Sequence, residues 1–395
     1  MEGIMADPAA SSISREEELH WLALTLVPGL GTRMAGKLLD RFRTPQAVFR
    51  ASRSELEAAG VNGAVAQSIA SGCSFEDAVD QQRKMAEHGA VVIVRSDPRY
   101  PALLREIFDP PVLMFARGRL ELLQPFHFAV VGTRRPTAYG LAVAERLGAD
   151  LARAGLTIVS GMARGIDTTA HKGALSAGGD TVAVLGCGVD VIYPSENRKL
   201  AADLFAKGLV ISEFAMGSTA FPQNFPIRNR IISGMSAGVL VVEGAQYSGS
   251  AITAKLALDQ GREVFAVPGN ITSKASWGPN LLIKQGAKLV QDWNDVIVEL
   301  PAEVRRQLIE RGRTRLLGNA GASQDGGPAS HLEGSLPEIG RRLLAVLQVD
   351  TAIHLDDLLQ IVEDSSASEL IAALFELEML GLVKQLPGKN FVKVW

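Results

Sequence analysis

The chain has 395 residues, 47% hydrophobic and 21% charged, with 40 Lys plus Arg against 43 Asp plus Glu and a formal net charge of −3. That balance suits two or three folded domains and excludes wholesale disorder or a globally basic, histone-like protein, although a local basic groove can hide inside a near-neutral total. Two cysteines, Cys73 and Cys187, form no disulfide framework or Cys/His cluster, the first residues hold no apolar leader, and no apolar run is long enough to span a bilayer, so a reducing, cytoplasmic compartment away from membranes is expected.

In chain order, residues 1–18 read as a disordered tail and 19–86 as a helical domain. The stretch LALTLVPGLGTRMAGKLLDRF (22–42) is apolar, then Pro-Gly-Leu-Gly, then amphipathic, and ELEAAGVNGAVAQSIASG (55–72) is a looser copy, so both predict two short helices joined by a Gly-containing hairpin. The segment 87–118 predicts one strand and Pro-rich loops leading into a larger domain that ends at 300. Between 125 and 300 lie 21 of the 39 glycines, and short non-alternating apolar runs at 128–131, 157–159, 181–185, 209–211, 239–242 and 263–267. Runs of that kind mark strands covered on both faces, hence a parallel sheet. Helical stretches at 138–154, 166–177, 196–207, 226–236 and 250–260 alternate with them, which predicts a doubly wound α/β domain. Residues 301–335 read as a Gly/Ser/Ala-rich linker. Residues 336–395 read as helices at 337–348, 355–362 and 366–380 followed by two strands around Pro387-Gly388, the winged-helix pattern.

Charge is unevenly spread. Residues 1–124 carry 14 basic and 16 acidic groups, 125–300 carry 16 and 14, and 336–395 carry 5 and 9. Only the sheet region is net positive among the parts expected to fold.

Four loops of that region carry the candidate chemistry. In VVGTRRPTAYG (130–140), Gly132 ends a strand and Arg134 and Arg135 follow it; the pattern is not GxGxxG, so no dinucleotide fingerprint is matched. In VSGMARGIDTTAH (159–171), Ser160 and Gly161 sit where strand meets helix and Arg164 adds a cation, while Asp167 and His171 are expected to be structural. In FPQNFPIRNRIISGMS (221–236), Arg228, Asn229 and Arg230 are read as opening a helix, where cations oppose the macrodipole unless an anion is near. Phe225 is either a buried staple or a base-stacking surface. In VVEGAQYSGSAITAKLAL (241–258), Ser248, Gly249 and Ser250 start a helix with Lys255 further in. Glu243 ends a strand, where a lone carboxylate is expected to bond neighbouring loops. A fifth stretch, AVPGNITSKASWGPNLLIKQGA (266–287), extends the set. In a doubly wound sheet these loops all emerge at the carboxyl edges of the strands, so small residues and cations distant in sequence can converge on a phosphate-binding crevice.

The stretches AVVGTRRPTAYG, IVSGMARGIDTTAH, FPIRNRIISGMSAGVLVVE, YSGSAITAKLALDQGREVFAVPG and GPNLLIKQGA, with YPALLREIFDPPVLMFARG upstream, closely resemble the DNA-processing protein A family (DprA/Smf) over about residues 20–395. The resemblance implies an extended Rossmann-like domain flanked by a SAM-like, helix-hairpin-helix-type domain and a winged helix. It implies single-stranded DNA binding without sequence preference, protection of incoming DNA, loading of the RecA recombinase during natural transformation, and a homodimer through the sheet domain. Carried onto this chain, the DNA-contacting positions are Gly132, Arg134, Ser160, Gly161, Arg164, Phe225, Arg228, Arg230, Ser248, Gly249, Ser250 and Lys255. No cofactor, metal or catalytic activity is implied. The rival reading is a nucleotide or nucleoside-phosphate hydrolase on the same scaffold. The third winged helix carries Glu369, Glu376 and Glu378 and no cation, which favours protein contact over groove binding, although Lys384, Lys389 and Lys393 stand in the wing.

Overall fold

In the computed structural model, residues 13–124, 126–246, 248–301, 304–308, 338–348, 351–362, 367–379, 382–386 and 388–394 are described. The first part of the expected tail and nearly all of the expected linker lie outside them. The chain separates into two compact units, up to Leu308 and from Ile309 onward.

The first unit starts with helices α1 (Arg15–Leu26), α2 (Thr32–Phe42), α3 (Pro45–Arg50), α4 (Arg53–Ala58), α5 (Gly63–Ser71) and α6 (Phe75–His88). Helix α1 begins inside the expected tail, which corrects that boundary. Its cause is a capping box: Ser14 Oγ accepts from Glu17 N and the Glu17 carboxylate accepts from Ser14 N. The hairpins expected at 22–42 and 55–72 are α1–α2 and α4–α5, the first turning at Gly29, whose φ of +78° suits glycine.

Then follow β1 (Val91–Val94), α7 (Ala102–Arg105), β2 (Leu113–Gly118), β3 (His127–Val131), α8 (Ala138–Arg153), β4 (Thr157–Ser160), α9 (Ile166–Ser176), β5 (Thr181–Val184), α10 (Arg198–Lys207), β6 (Leu209–Ser212), α11 (Asn224–Gly234), β7 (Gly238–Val241), α12 (Gly249–Asp259), β8 (Glu263–Ala266), α13 (Trp277–Lys284), β9 (Lys288–Leu289) and α14 (Asn294–Ile297). They build one nine-stranded sheet in the order β1-β2-β6-β5-β4-β3-β7-β8-β9. From β6 to β9 all pairings are parallel, with Ala129 opposite both Val159 and Val239 at the centre. The fold is therefore the expected doubly wound α/β domain. The sequence pattern missed two of its strands. LMFARG (113–118) was expected as loop because prolines precede it, yet β2 lies antiparallel between β1 and β6 and carries the β1–β2 hairpin into the same sheet. Strand β9 has two residues, both exposed, and so shows no apolar run.

Side-chain alternation divides the core. Val130 and Ile158 face α8 and α9 through Leu147, Ile166 and Ala170, while Val131, Val159 and Val184 face α11 and α12 through Ile231, Ile232 and Ala254. The N-terminal helices share a third cluster with β1, β2 and α10, in which Trp21, Leu22 and Leu38 pack with Val92, Phe115 and Leu204. Each such buried side chain contributes roughly 1.5–3 kcal/mol relative to exposure, so the helical segment and the sheet form one body.

The second unit has helices α15 (Glu338–Val346), α16 (Leu355–Ile361) and α17 (Ala367–Met379) with strands β10 (Ile353–His354), β11 (Val383–Leu386) and β12 (Asn390–Lys393) in the order β10-β12-β11. This is a winged helix around Leu343, Leu358, Leu374 and Phe391. In α17 Glu369 and Glu378 are exposed, while the side chain of Glu376 lies outside the described residues, as does Pro387 between the wing strands. Lys393 Nζ donates to Leu344 O, so that lysine serves the fold.

Candidate nucleic-acid interface

Because β3, β4 and β5 are parallel neighbours, their carboxyl ends open at one edge of the sheet, and the three loops there meet the first turns of α11. One cleft results, lined among others by Arg134, Gly161, Arg164, Gly186, Phe225 and Arg228. Its volume is about 30 Å³, far below the hundreds of Å³ of a small-molecule pocket. It is a notch in a rim that suits a chain lying across it.

Arg228 forms the floor. It is 4% exposed, and its Nη1 donates to Gly161 O at 2.8 Å and to Val184 O, while Nε donates to Asn229 Oδ1 at 3.2 Å. Burial pushes the guanidinium down to about 10, opposed by the buried Asp167 carboxylate, so it remains charged at neutral pH. Asp167 in turn accepts from Gly161 N at 3.1 Å. Gly161 is thus the socket of Arg228: a Cβ there would lie 2.5 Å from the guanidinium carbon.

Arg134 and Arg164 form the open wall and both are exposed. Arg134 places Cζ 5.0 Å from the centroid of the Phe225 ring, a cation–π distance. Arg164 Nη2 lies 2.6 Å from Glu196 Oε1, both side chains being 58% exposed; an ion pair in that much water is worth under about 1 kcal/mol, so a phosphate can replace the carboxylate. Phe225 stacks with Tyr193, the ring centroids 5.7 Å apart and the planes at 29°.

Several expected donors are spent within the fold. Ser160 Oγ is buried and donates to Val130 O at 2.6 Å, and Gly161 N serves Asp167, so neither is a free phosphate ligand. Gly132 owes its lack of a side chain to Ile166, whose Cβ would lie 2.7 Å from an added methyl. Ser248 caps α12 at Ala251 N and pairs with the buried Ser250 hydroxyl at 2.8 Å. Gly249 stays exposed with open space over its Cα, and its carbonyl accepts from Asn229 Nδ2 at 3.4 Å. This bond ties the serine turn to the residue next to Arg228. Lys255 is exposed on α12 but does not line the cleft.

Arg230 departs from expectation most. Helix α11 begins at Asn224, so the RNR triplet lies a turn inside it and does not open it. At 100° per residue, positions 228 and 230 point about 200° apart. Arg228 therefore faces the cleft and Arg230 the other side, where its Nε donates to Asp109 at 3.0 Å and its Nη2 to Glu213 Oε1 at 3.0 Å. Glu213 also accepts from Thr32 Oγ1 of α2. The anion that offsets this cation is the protein's own.

Asp167, His171 and Glu243 are all buried and hydrogen-bonded within the fold. Glu243 is 2% exposed and accepts from Thr137 N and Oγ1 at 2.9 and 2.6 Å, which ties the loop after β3 to the end of β7. Thr181 Oγ1 donates to Ile158 O, so His171 Nδ1 must donate to Thr181 Oγ1, at 2.6 Å. Its Nε2 is buried without a partner, and burial pushes the imidazole down to about 3. Among the described residues no group of three or more His, Cys, Asp or Glu could hold a metal ion. No described helix is long and apolar enough to cross a membrane. The sequence reading missed Tyr193, Gly186 and Glu196; the Gly-rich turn GCGVD after the run at 181–185 was the available signal.

The fold and site define a doubly wound α/β protein with arginines and aromatic rings gathered at one rim of its sheet. Comparison with known proteins makes this specific. Residues 91–301 match the family described as DNA recombination-mediator protein A, and 327–389 match the DprA winged helix domain. A protein named Smf from a Synechocystis strain is 33% identical over 405 aligned residues, covering 96% of this chain and 99% of its own. The DNA processing protein DprA of Bacillus subtilis is 45% identical over 54% of this chain and 73% of its own. The X-ray structure of DNA processing protein A from Streptococcus pneumoniae superposes with a TM-score of 0.63 at 36% identity, covering 72% of this chain and 98% of that one. The chain belongs to the DprA/Smf family.

Proposed function

We propose that this protein binds single-stranded DNA across the rim formed by the loops after β3, β4 and β5, and acts as a recombination mediator that protects the strand and hands it to a RecA-type recombinase. The observation that carries the reading is the gathering of Arg134, Arg164 and Arg228 with Phe225 in one notch. Cations lining a rim hold phosphates without reading bases, and an aromatic ring stacks any base, so binding is independent of sequence. The shallow notch suits a flexible strand. Of the twelve positions expected to touch DNA, Arg134, Arg164 and Phe225 are proposed as direct contacts, Gly249 as an amide donor, and Arg228 as the charged floor. Gly132, Ser160, Gly161, Ser248 and Ser250 are proposed to shape the rim, Lys255 to act at its periphery, and Arg230 to act elsewhere. The chain is proposed to have no catalytic activity and no cofactor, to work in the cytoplasm as a homodimer through the sheet domain, and to use its acidic winged helix for protein contact.

A mobility shift with a labelled oligothymidine and its duplex, across a salt series, tests this. The single strand should bind more tightly, with a log–log salt slope that falls by about 0.7 in Arg134→Ala. Equal affinity for both forms, with Arg134→Ala unchanged in affinity and slope, sinks the reading.

A further inference from the structure

We propose that Tyr193 is a second base platform: a nucleobase of the bound strand stacks on its outward ring, beside the base or cation at Phe225. This rests on the reading of the rim as a single-strand site. Phe225 is only half-buried, but it already has two neighbours, Tyr193 stacked at 5.7 Å and the Arg134 guanidinium at 5.0 Å. Its ring is therefore partly covered before DNA arrives. Tyr193 is 41% exposed, a large apolar ring that the fold leaves partly unburied where it lines the notch. Among the described residues no group hydrogen-bonds its hydroxyl, so the ring is not held there by its polar end.

The loop that presents it is fixed. Gly188 N donates to Ser218 O and Val191 N to Gly188 O, both at 2.9 Å. The Asp190 carboxylate accepts from Gly217 N at 2.9 Å, and Val189 is fully buried. Beyond Tyr193, Asn197 N donates to Pro194 O at 3.0 Å and Asn197 Nδ2 to Met162 O at 2.9 Å. A ring on such a frame loses little conformational freedom when a base covers it, which is the condition for an effective stacking residue. With Arg134 and Arg164 lining the same notch, the rim offers two rings and two cations, a set that matches the bases and phosphates of consecutive nucleotides.

The test compares oligothymidine with an abasic oligonucleotide of equal length, which keeps the phosphates and removes every base. Tyr193→Ala should weaken oligothymidine binding roughly 5- to 150-fold, with the salt slope unchanged, and leave the abasic strand unaffected; Tyr193→Phe should stay within about twofold of the parent. Equal losses on both strands, or none on either, overturn the platform. Because Tyr193→Ala removes a neighbour of Phe225 and can disturb the notch, the unaltered protein supplies a second measurement. Irradiation with an oligonucleotide containing 5-iododeoxyuridine should cross-link at Tyr193, located by mass spectrometry; cross-links found only elsewhere in the chain overturn the proposal. Failure of the unaltered protein to retain any oligothymidine refutes the underlying single-strand reading, and so is distinguishable from failure of the platform alone.

Discussion

A single methyl group at Gly161 should dismantle the floor of the notch. In Gly161→Ala the new Cβ would stand 2.5 Å from Arg228 Cζ. The backbone there is tied to Asp167 on one side and Arg228 on the other, so the guanidinium is the part that moves. It would give up its bonds to Gly161 O and Val184 O, each a hydrogen bond to a charged group worth about 1.5–3 kcal/mol. The two bonds together are worth about 3–6 kcal/mol, and partial relaxation argues for the lower part of that range, about 3–5 kcal/mol. With roughly 300 residues unfolding in the first unit and about 2.1 cal/mol/K of unfolding entropy per residue, the melting temperature should fall by about 5–8 °C. Differential scanning calorimetry of the full chain reads this directly, with the second unit's transition as internal control. Binding of oligothymidine should weaken in parallel, because a displaced Arg228 no longer holds Asn229 and the serine turn in place. A variant melting within about 1 °C of the parent would show that Arg228 does not occupy this socket.

Other outcomes follow from the same geometry. Arg230→Ala should lower the unfolding free energy by about 3–5 kcal/mol, since it strands Glu213 in the interior, and should leave the salt slope of DNA binding unchanged; urea melts and the salt series check both, and a reduced slope would place Arg230 on the rim after all. His171 makes stability depend on pH. Its folded value of about 3 lies below the ordinary 6.5, so the unfolded chain takes up the proton first. The stability it contributes is complete above about pH 6.5 and is lost as pH falls toward 3, at up to about 1.4 kcal/mol per pH unit. Urea midpoints measured from pH 7 to 4 should fall, and His171→Asn, which retains a donor for Thr181, should flatten the curve; an equal slope in the variant would assign the effect to other groups.

What the sequence determined on its own was the parallel core and two of the loops that line the notch, those after β3 and β4. Buried parallel strands must be short continuous apolar runs, and the glycines at their carboxyl ends mark where a backbone packs closely, so the runs at 128–131, 157–159 and 239–242 located β3, β4 and β7 directly. The winged helix was legible for a similar reason, since its helical periodicity and the Pro-Gly pair in its sequence are local signals. The fate of each polar group was not local. Arg228 and Arg230 stand two residues apart in one triplet, yet the helix turns one toward Gly161 and the other toward Asp109 and Glu213. Ser160 and Ser250 looked available because a hydroxyl's partner can come from any part of the chain, and theirs were Val130 O and Ser248. Tyr193 carried no periodic mark and became visible only when α11 brought Phe225 against it. Strand and helix periods are properties of neighbouring residues, whereas hydrogen-bond satisfaction and ring stacking depend on which distant segments the sheet order places side by side.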